Sequence, residues 1–237
     1  MIKTIKLVIL IIISLSVYFI YQNTKNTNIK ILNLGDKLSQ GFNSSGVKGY
    51  GFINYYQEYL YASTRKVDVN NKYSKKYLTI NELLLQVKEK PRLKRELAES
   101  DIIFLTIGYN DLVYKINLEE TTNRKNINRL FTQTIKEYNK LIKEIRKYYK
   151  EEIICVGYYK PNNKDYNLDL GIKRLNFFLE TQKEITYINT YKLLADKKKY
   201  FSNPNSYYPN ELGYKKIFQE IIKQTKKTWK VKKILIY

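Results

Sequence analysis

IIFLTIGYND, residues 102–111, is the stretch whose reading decides the fold. Ile102 to Ile107 is an apolar run of strand length, and it ends abruptly in Gly108 and the turn-forming and helix-capping residues Asn110 and Asp111. Outward from it in both directions, further runs of strand length fall at Lys30 to Leu34, Lys66 to Val69, Ile153 to Tyr158 and Thr186 to Asn189. Between them lie stretches of helical period: Phe52 to Ala62, Ile80 to Val87, Arg92 to Ala98 after Pro91, Asn126 to Tyr149, Leu170 to Lys183 and Glu211 to Lys226. In the fourth of these, Leu130, Ile135, Tyr138, Leu141, Ile142 and Ile145 recur at helical spacing. Alternation of this kind predicts an α/β domain, a five-stranded, mostly parallel sheet covered by helices. The basic end, Lys226 to Tyr237, reads either as a final strand or as a frayed tail. Ligand sites in such sheets lie beyond the C-terminal strand ends. Three segments of unusual composition are expected there: Gly35 to Gly51, Gly108 to Asp111, and Asn203 to Gly213.

The 237 residues suffice for one domain with a full core behind a short leader, and neither a repeat nor a low-complexity linker divides them. Lys and Arg number 43 against 22 acidic residues, a formal charge of +21. Such a charge suits an anionic partner, but the lysines are spread along the chain and accompany abundant Ile, Asn and Tyr, as a coding bias would produce. Spread charge argues against a nucleic-acid interface in particular. With no histidine and a single cysteine, Cys155, there is no imidazole or thiolate cluster for zinc or copper, no intramolecular disulfide, and no cofactor motif. Cys155, inside the run Ile153 to Val156, is expected as a buried, inert thiol.

Leu7 to Tyr21 is an apolar run broken only by Ser14 and Ser16, with Lys3 and Lys6 before it and the polar stretch Gln22 to Asn28 after it. No small-residue cleavage site and no lipid-accepting cysteine follows, which favours an uncleaved signal anchor over a removed signal peptide. The expected organisation is therefore an anchor over residues 1–23, a linker over 24–28 and the domain over 29–237. The lysines before the run place the amino terminus in the cytoplasm and the domain outside, single-pass, with Lys25 and Lys30 weakening the asymmetry.

The three strand-end segments carry a resemblance to the SGNH (GDSL) hydrolases. Ile31-Leu-Asn-Leu-Gly-Asp-Lys-Leu-Ser-Gln-Gly41 resembles the family's first block, a strand ending in Gly-Asp-Ser-Leu-Ser/Thr. Ile102 to Asp111 resembles the third, a strand running into Gly-x-Asn-Asp, and Tyr208-Pro-Asn-Glu-Leu-Gly-Tyr214 resembles the last, in which Asp-x-x-His-Pro-Asn-x-x-Gly-Tyr opens the final helix. The resemblance covers about Ile29 to Lys226 and implies a three-layer, flavodoxin-like α/β/α fold and ester hydrolysis by a serine, a histidine and an aspartate. It also implies that Gly108 and Asn110 face substrate, the Asn amide helping to hold an oxyanion.

The chain departs from that pattern where the chemistry lies. The nucleophile's place holds Lys37, the base's place holds Tyr208 and the orienting acid's place holds Asn205. No glycine between Gly51 and Gly108 supplies the second block. A protonated amine does not attack an ester, and a phenol with reference pKa near 10 is a poor base at neutral pH. Lys37 reads either as a solvated lysine or as an anion ligand beside the start of a helix. Asn110 reads equally as a turn residue or as a donor into the cleft, and Asp111 as a cap or loop anchor. Phe42, Tyr50, Phe52, Tyr158, Tyr159, Tyr207 and Tyr208 either line a groove or cluster by chance among 24 tyrosines. Three functions follow: a catalytically silent envelope protein that binds a glycan, acyl ester or protein partner; an esterase or deacetylase using unorthodox residues, such as Ser39 with Lys37 as base; or a basic polyanion-binding module.

Overall fold

The computed structural model describes residues 2–25, 28–43, 45–62, 66–118, 124–160, 166–195, 197–202 and 208–235. A helix α1 (Ile2–Lys25) is followed by β1 (Asn28–Gly35), α2 (Phe52–Tyr61), β2 (Lys66–Asn70), α3 (Ile80–Glu89), α4 (Pro91–Glu99) and β3 (Ile102–Thr106). Then come α5 (Tyr109–Leu118), α6 (Arg124–Tyr148), β4 (Ile153–Val156), α7 (Tyr166–Glu180), β5 (Thr186–Ile188), α8 (Thr190–Leu194), a 3₁₀ turn at Lys198–Tyr200 and α9 (Glu211–Leu235). The strands are ordered β2-β1-β3-β4-β5 and every pairing is parallel. Because chain order reverses between β1 and β3, the loops leaving their C-terminal ends diverge to opposite faces and open a crevice between them.

All residues of β3 and β4 are buried, as strands covered on both faces require. Tyr56, Tyr138, Tyr149 and Tyr214 are among the largest fully buried side chains, and three of their hydroxyls show how the core admits phenols. Tyr149 donates to the carbonyls of Asp101 (3.0 Å) and Glu152 (2.8 Å). Tyr138 meets the Cys155 sulfur at 3.1 Å, and Tyr214 donates to the Phe42 carbonyl at 2.5 Å. Cys155 is buried as expected, its thiol pushed up to about 12 by desolvation.

Three local features depart from the sequence reading. Residues 226–235 continue α9 instead of forming a strand or a frayed tail. Helix α5, opening directly behind Gly108, and the short α8 were not anticipated, because neither carries enough apolar period to announce itself. At the amino terminus, α1 exposes Ile9 to Ile13, Leu15 and Val17 to Ile20 to half or more of their surface. No helix, among the described residues, is long and apolar enough to cross a membrane, so the spanning anchor finds no support in the structure.

Candidate functional site

The chain crosses into the crevice immediately after β1, through a turn that only a small residue permits. A Cβ on Gly35 would stand 2.6 Å from the Thr106 carbonyl oxygen and 2.7 Å from the Ser39 hydroxyl. The Asp36 amide then donates to that same Thr106 carbonyl at 3.0 Å, which carries the β1–β3 pairing one residue further and turns the Asp36 side chain inward. There its carboxylate accepts from the Leu38 amide at 3.0 Å and from the Tyr158 hydroxyl at 2.5 Å. Full burial outweighs both bonds and lifts its pKa from 3.8 to about 7, with Asp111 adding repulsion.

The second wall comes from β3. Gly108 adopts φ +116, and a Cβ there would meet Leu175 Cδ2 at 2.8 Å, so the turn into α5 depends on glycine. Asp111 reaches across to the first amide of α3, both carboxylate oxygens lying 3.1 Å from the Ile80 nitrogen, and thus anchors a loop as its type suggests. The Asn110 amide donates to the Leu78 carbonyl at 2.9 Å, tying α5 to the loop after β2.

Pro209 and Asn210 make the third wall. Asn210 caps α9 by accepting from the Gly213 amide (3.0 Å) while its own amide donates to the Lys199 carbonyl (2.9 Å). A Cβ on Gly213 would sit 2.7 Å from the Tyr200 carbonyl oxygen, and Tyr214 holds the loop after β1 through Phe42. The Pro-Asn-x-x-Gly-Tyr sequence thus fixes where the start of α9 meets the crevice, and with it the position of Tyr208.

These walls bring Asp36, Lys37, Leu38, Tyr109, Asn110, Tyr158, Tyr159 and Tyr208 around one cleft. Lys37, Asn110 and Tyr208 therefore converge, whereas Gly108 does not line the cleft and acts behind it, through backbone shape. Asn205 and Tyr207 lie outside the described residues. The cleft is nearly full, with a cavity of about 20 Å3; that is room for about one water. Its occupants belong to the chain: the Lys37 ammonium lies 5.5 Å from the centre of the Tyr208 ring, 4.7 Å from Tyr77 and 6.0 Å from Phe42. Desolvation lowers the lysine's pKa, partly offset by Tyr77. Desolvation likewise pushes the Tyr208 phenol well above its usual range, which leaves still less phenolate to act as a base at neutral pH. Ser39 is buried, and its hydroxyl donates to the Asp36 carbonyl at 2.9 Å, away from any substrate.

Of the aromatic set read from the sequence, Tyr158, Tyr159 and Tyr208 line the cleft, and Phe42 faces it only through Lys37, 6.0 Å from its ring centre. Phe52 is core, packed on Phe104 and Tyr214, and Tyr50 packs edge-on against Tyr55. Tyr77, Tyr109 and the Asp36–Tyr158 pair were not foreseen, since nothing in sequence spacing joins residues 122 positions apart. Among the described residues no group of His, Cys, Asp and Glu could hold a metal ion.

A sequence model of the GDSL-like lipase/acylhydrolase family matches residues 34–216. Among curated proteins none matches the chain. Similar solved structures include a lipase from a goat rumen metagenome, with TM-score 0.69 and 20% identity over 81% of this chain and 95% of that one. A catalytic mutant of Axe2, an acetylxylan esterase from Geobacillus stearothermophilus, aligns with TM-score 0.61 and 15% identity over 85% and 95%. A lipolytic G-D-S-L family protein from Veillonella parvula aligns with TM-score 0.60 and 20% identity over 82% and 97%.

Proposed function

We propose, given that this chain belongs to the GDSL-like lipase/acylhydrolase family, that it keeps the family scaffold without ester turnover and serves as a binding protein. The observation that carries this reading is the occupied cleft. Where the family's pattern puts the nucleophile and base, a lysine ammonium packs onto a tyrosine ring and leaves space for about one water. The Tyr208 phenol, its pKa raised by desolvation, keeps its proton at neutral pH and does not serve as a general base. The dyad of Ser39 with Lys37 gains no support from a serine hydroxyl buried against the Asp36 carbonyl.

Loss of one member of a Ser-His-Asp triad leaves only about 10³ to 10⁴ of rate over water, and here all three positions differ. The full chain should hydrolyse activated acetyl esters no faster than its Lys37→Ala variant, and a serine-directed phosphonate should leave Ser39 unlabelled. Lys37→Ser alone should stay silent, because a hydroxyl without a base is weak; Lys37→Ser with Tyr208→His and Asn205→Asp is the combination with a physical reason to turn over. Turnover by the unmodified chain, abolished by Ser39→Ala, would reject the silent reading.

The place of action that fits best is the outer face of the cytoplasmic membrane, with residues 1–23 held in the bilayer. Support comes from the lysine-flanked apolar run and from the exposed side chains of Ile9 to Ile20. Protease digestion of intact cells, with mass analysis of the amino terminus, tests it; a mature chain starting near Asn23 would remove the anchor.

A further inference from the structure

Lys37 is not alone at the cleft mouth. The ammonium of Lys76, from the loop between β2 and α3, lies 5.1 Å from the centre of the Tyr77 ring, the ring over which Lys37 sits at 4.7 Å. Two like charges converge on one phenol, and their repulsion adds to desolvation in lowering the Lys37 pKa. The same crowding lowers the Tyr77 phenol's pKa, first through a hydrogen bond from Lys76 and then through the Lys37 charge. Among the described residues neither ammonium forms an ion pair with a carboxylate, although exposed Lys–acid pairs occur elsewhere, as at Lys66–Asp68 and Lys173–Asp169. Asp36, next to Lys37 in sequence, is committed to Tyr158 and Leu38, and burial raises its pKa, which disfavours its charged form.

We infer that Lys37 and Lys76 form a clamp for a compact oxyanion at the cleft mouth, walled by Tyr77, with the phosphodiester or carboxylate of an anionic polymer as its ligand class. An ammonium carries three donors, and the Tyr77 hydroxyl takes no more than one from each lysine, so both keep protons to give an oxyanion. The floor of the cleft, full behind them, limits the ligand to a head group held at the opening while the rest of the molecule stays outside. The inference rests on the binding reading of the cleft.

The experiment titrates the full chain calorimetrically at pH 7 and low salt with dimethyl phosphate and, separately, with acetate. One ligand per chain is expected, with Lys76→Gln and Lys37→Gln each weakening it about tenfold, and Lys136→Gln, an exposed lysine of α6, leaving it unchanged. Preference between the two probes assigns the source. A second readout is the tyrosinate absorbance of the chain minus that of Tyr77→Phe: a bound anion neutralises both lysines and should move the Tyr77 titration upward. Binding that all three lysine variants weaken alike would mark diffuse charge and overturn the clamp, as would a Tyr77 titration unmoved by saturating ligand. Lys76 is exposed, so its variant folds even if Lys37→Gln does not. Ester turnover would sink the silent reading and leave the clamp standing; failure of both probes without turnover would sink the clamp alone.

Discussion

Asp36 binds its proton more tightly in the fold than out of it, because burial costs the carboxylate more than Tyr158 and Leu38 return. With a folded pKa of about 7 against 3.8, the native state holds the extra proton between those values, so stability falls as pH rises through that window and is flat above it. Asp36→Asn keeps an acceptor for the Leu38 amide and removes the ionisation. Urea unfolding from pH 4 to 8 should therefore show the variant gaining on the parent, by up to about 4 kcal/mol above pH 7. A parent whose stability rises over that range would contradict the buried, raised carboxyl. Gly108 makes a second residue-scale case: Gly108→Ala adds a Cβ in a left-handed conformation and against Leu175, at a cost of about 1 to 3 kcal/mol. A fall in Tm of roughly 2 to 10 °C would match it.

Helix α9 begins where it does because Asn210 closes its first turn and Gly213 lets that turn touch the Tyr200 carbonyl. Asn210→Ala should cost about 1 kcal/mol as a lost cap, and Tyr214→Phe about 1 kcal/mol as a lost hydrogen bond to Phe42. Both should lower the urea midpoint with an unchanged slope. At this scale the sequence was informative wherever a residue acts on near neighbours. Pro-Asn-x-x-Gly-Tyr announced a helix start, and the apolar runs announced all five strands to within a few residues at each end. Helix α5 escaped because its start is dictated by a partner across the crevice. Asp111 binds α3 and Asn110 binds Leu78, and neither contact leaves a period in the chain.

For the molecule as a whole, the described side chains of α1, residues 9–20, are exposed, and none of them belongs to the core. A chain of residues 28–237 should accordingly melt within about 2 °C of the full chain, since helices that bury no shared surface add little to cooperative stability; a large drop would mean that α1 packs on the domain. The parallel sheet and the two strand ends, after β1 and β3, that border the crevice followed from the sequence by itself. Strand period, glycine turns and residue identity at a motif position are local properties, and a one-dimensional pattern records them. What fills the crevice was decided only by tertiary structure. Whether Lys37 is solvated or caged, whether Asn110 faces ligand or the Leu78 carbonyl, and whether Asp36 is charged all depend on Tyr77, Tyr158 and Tyr208, which arrive from different loops. Burial and charge proximity are sums over neighbours in space, and the chain order of those neighbours carries no trace of them.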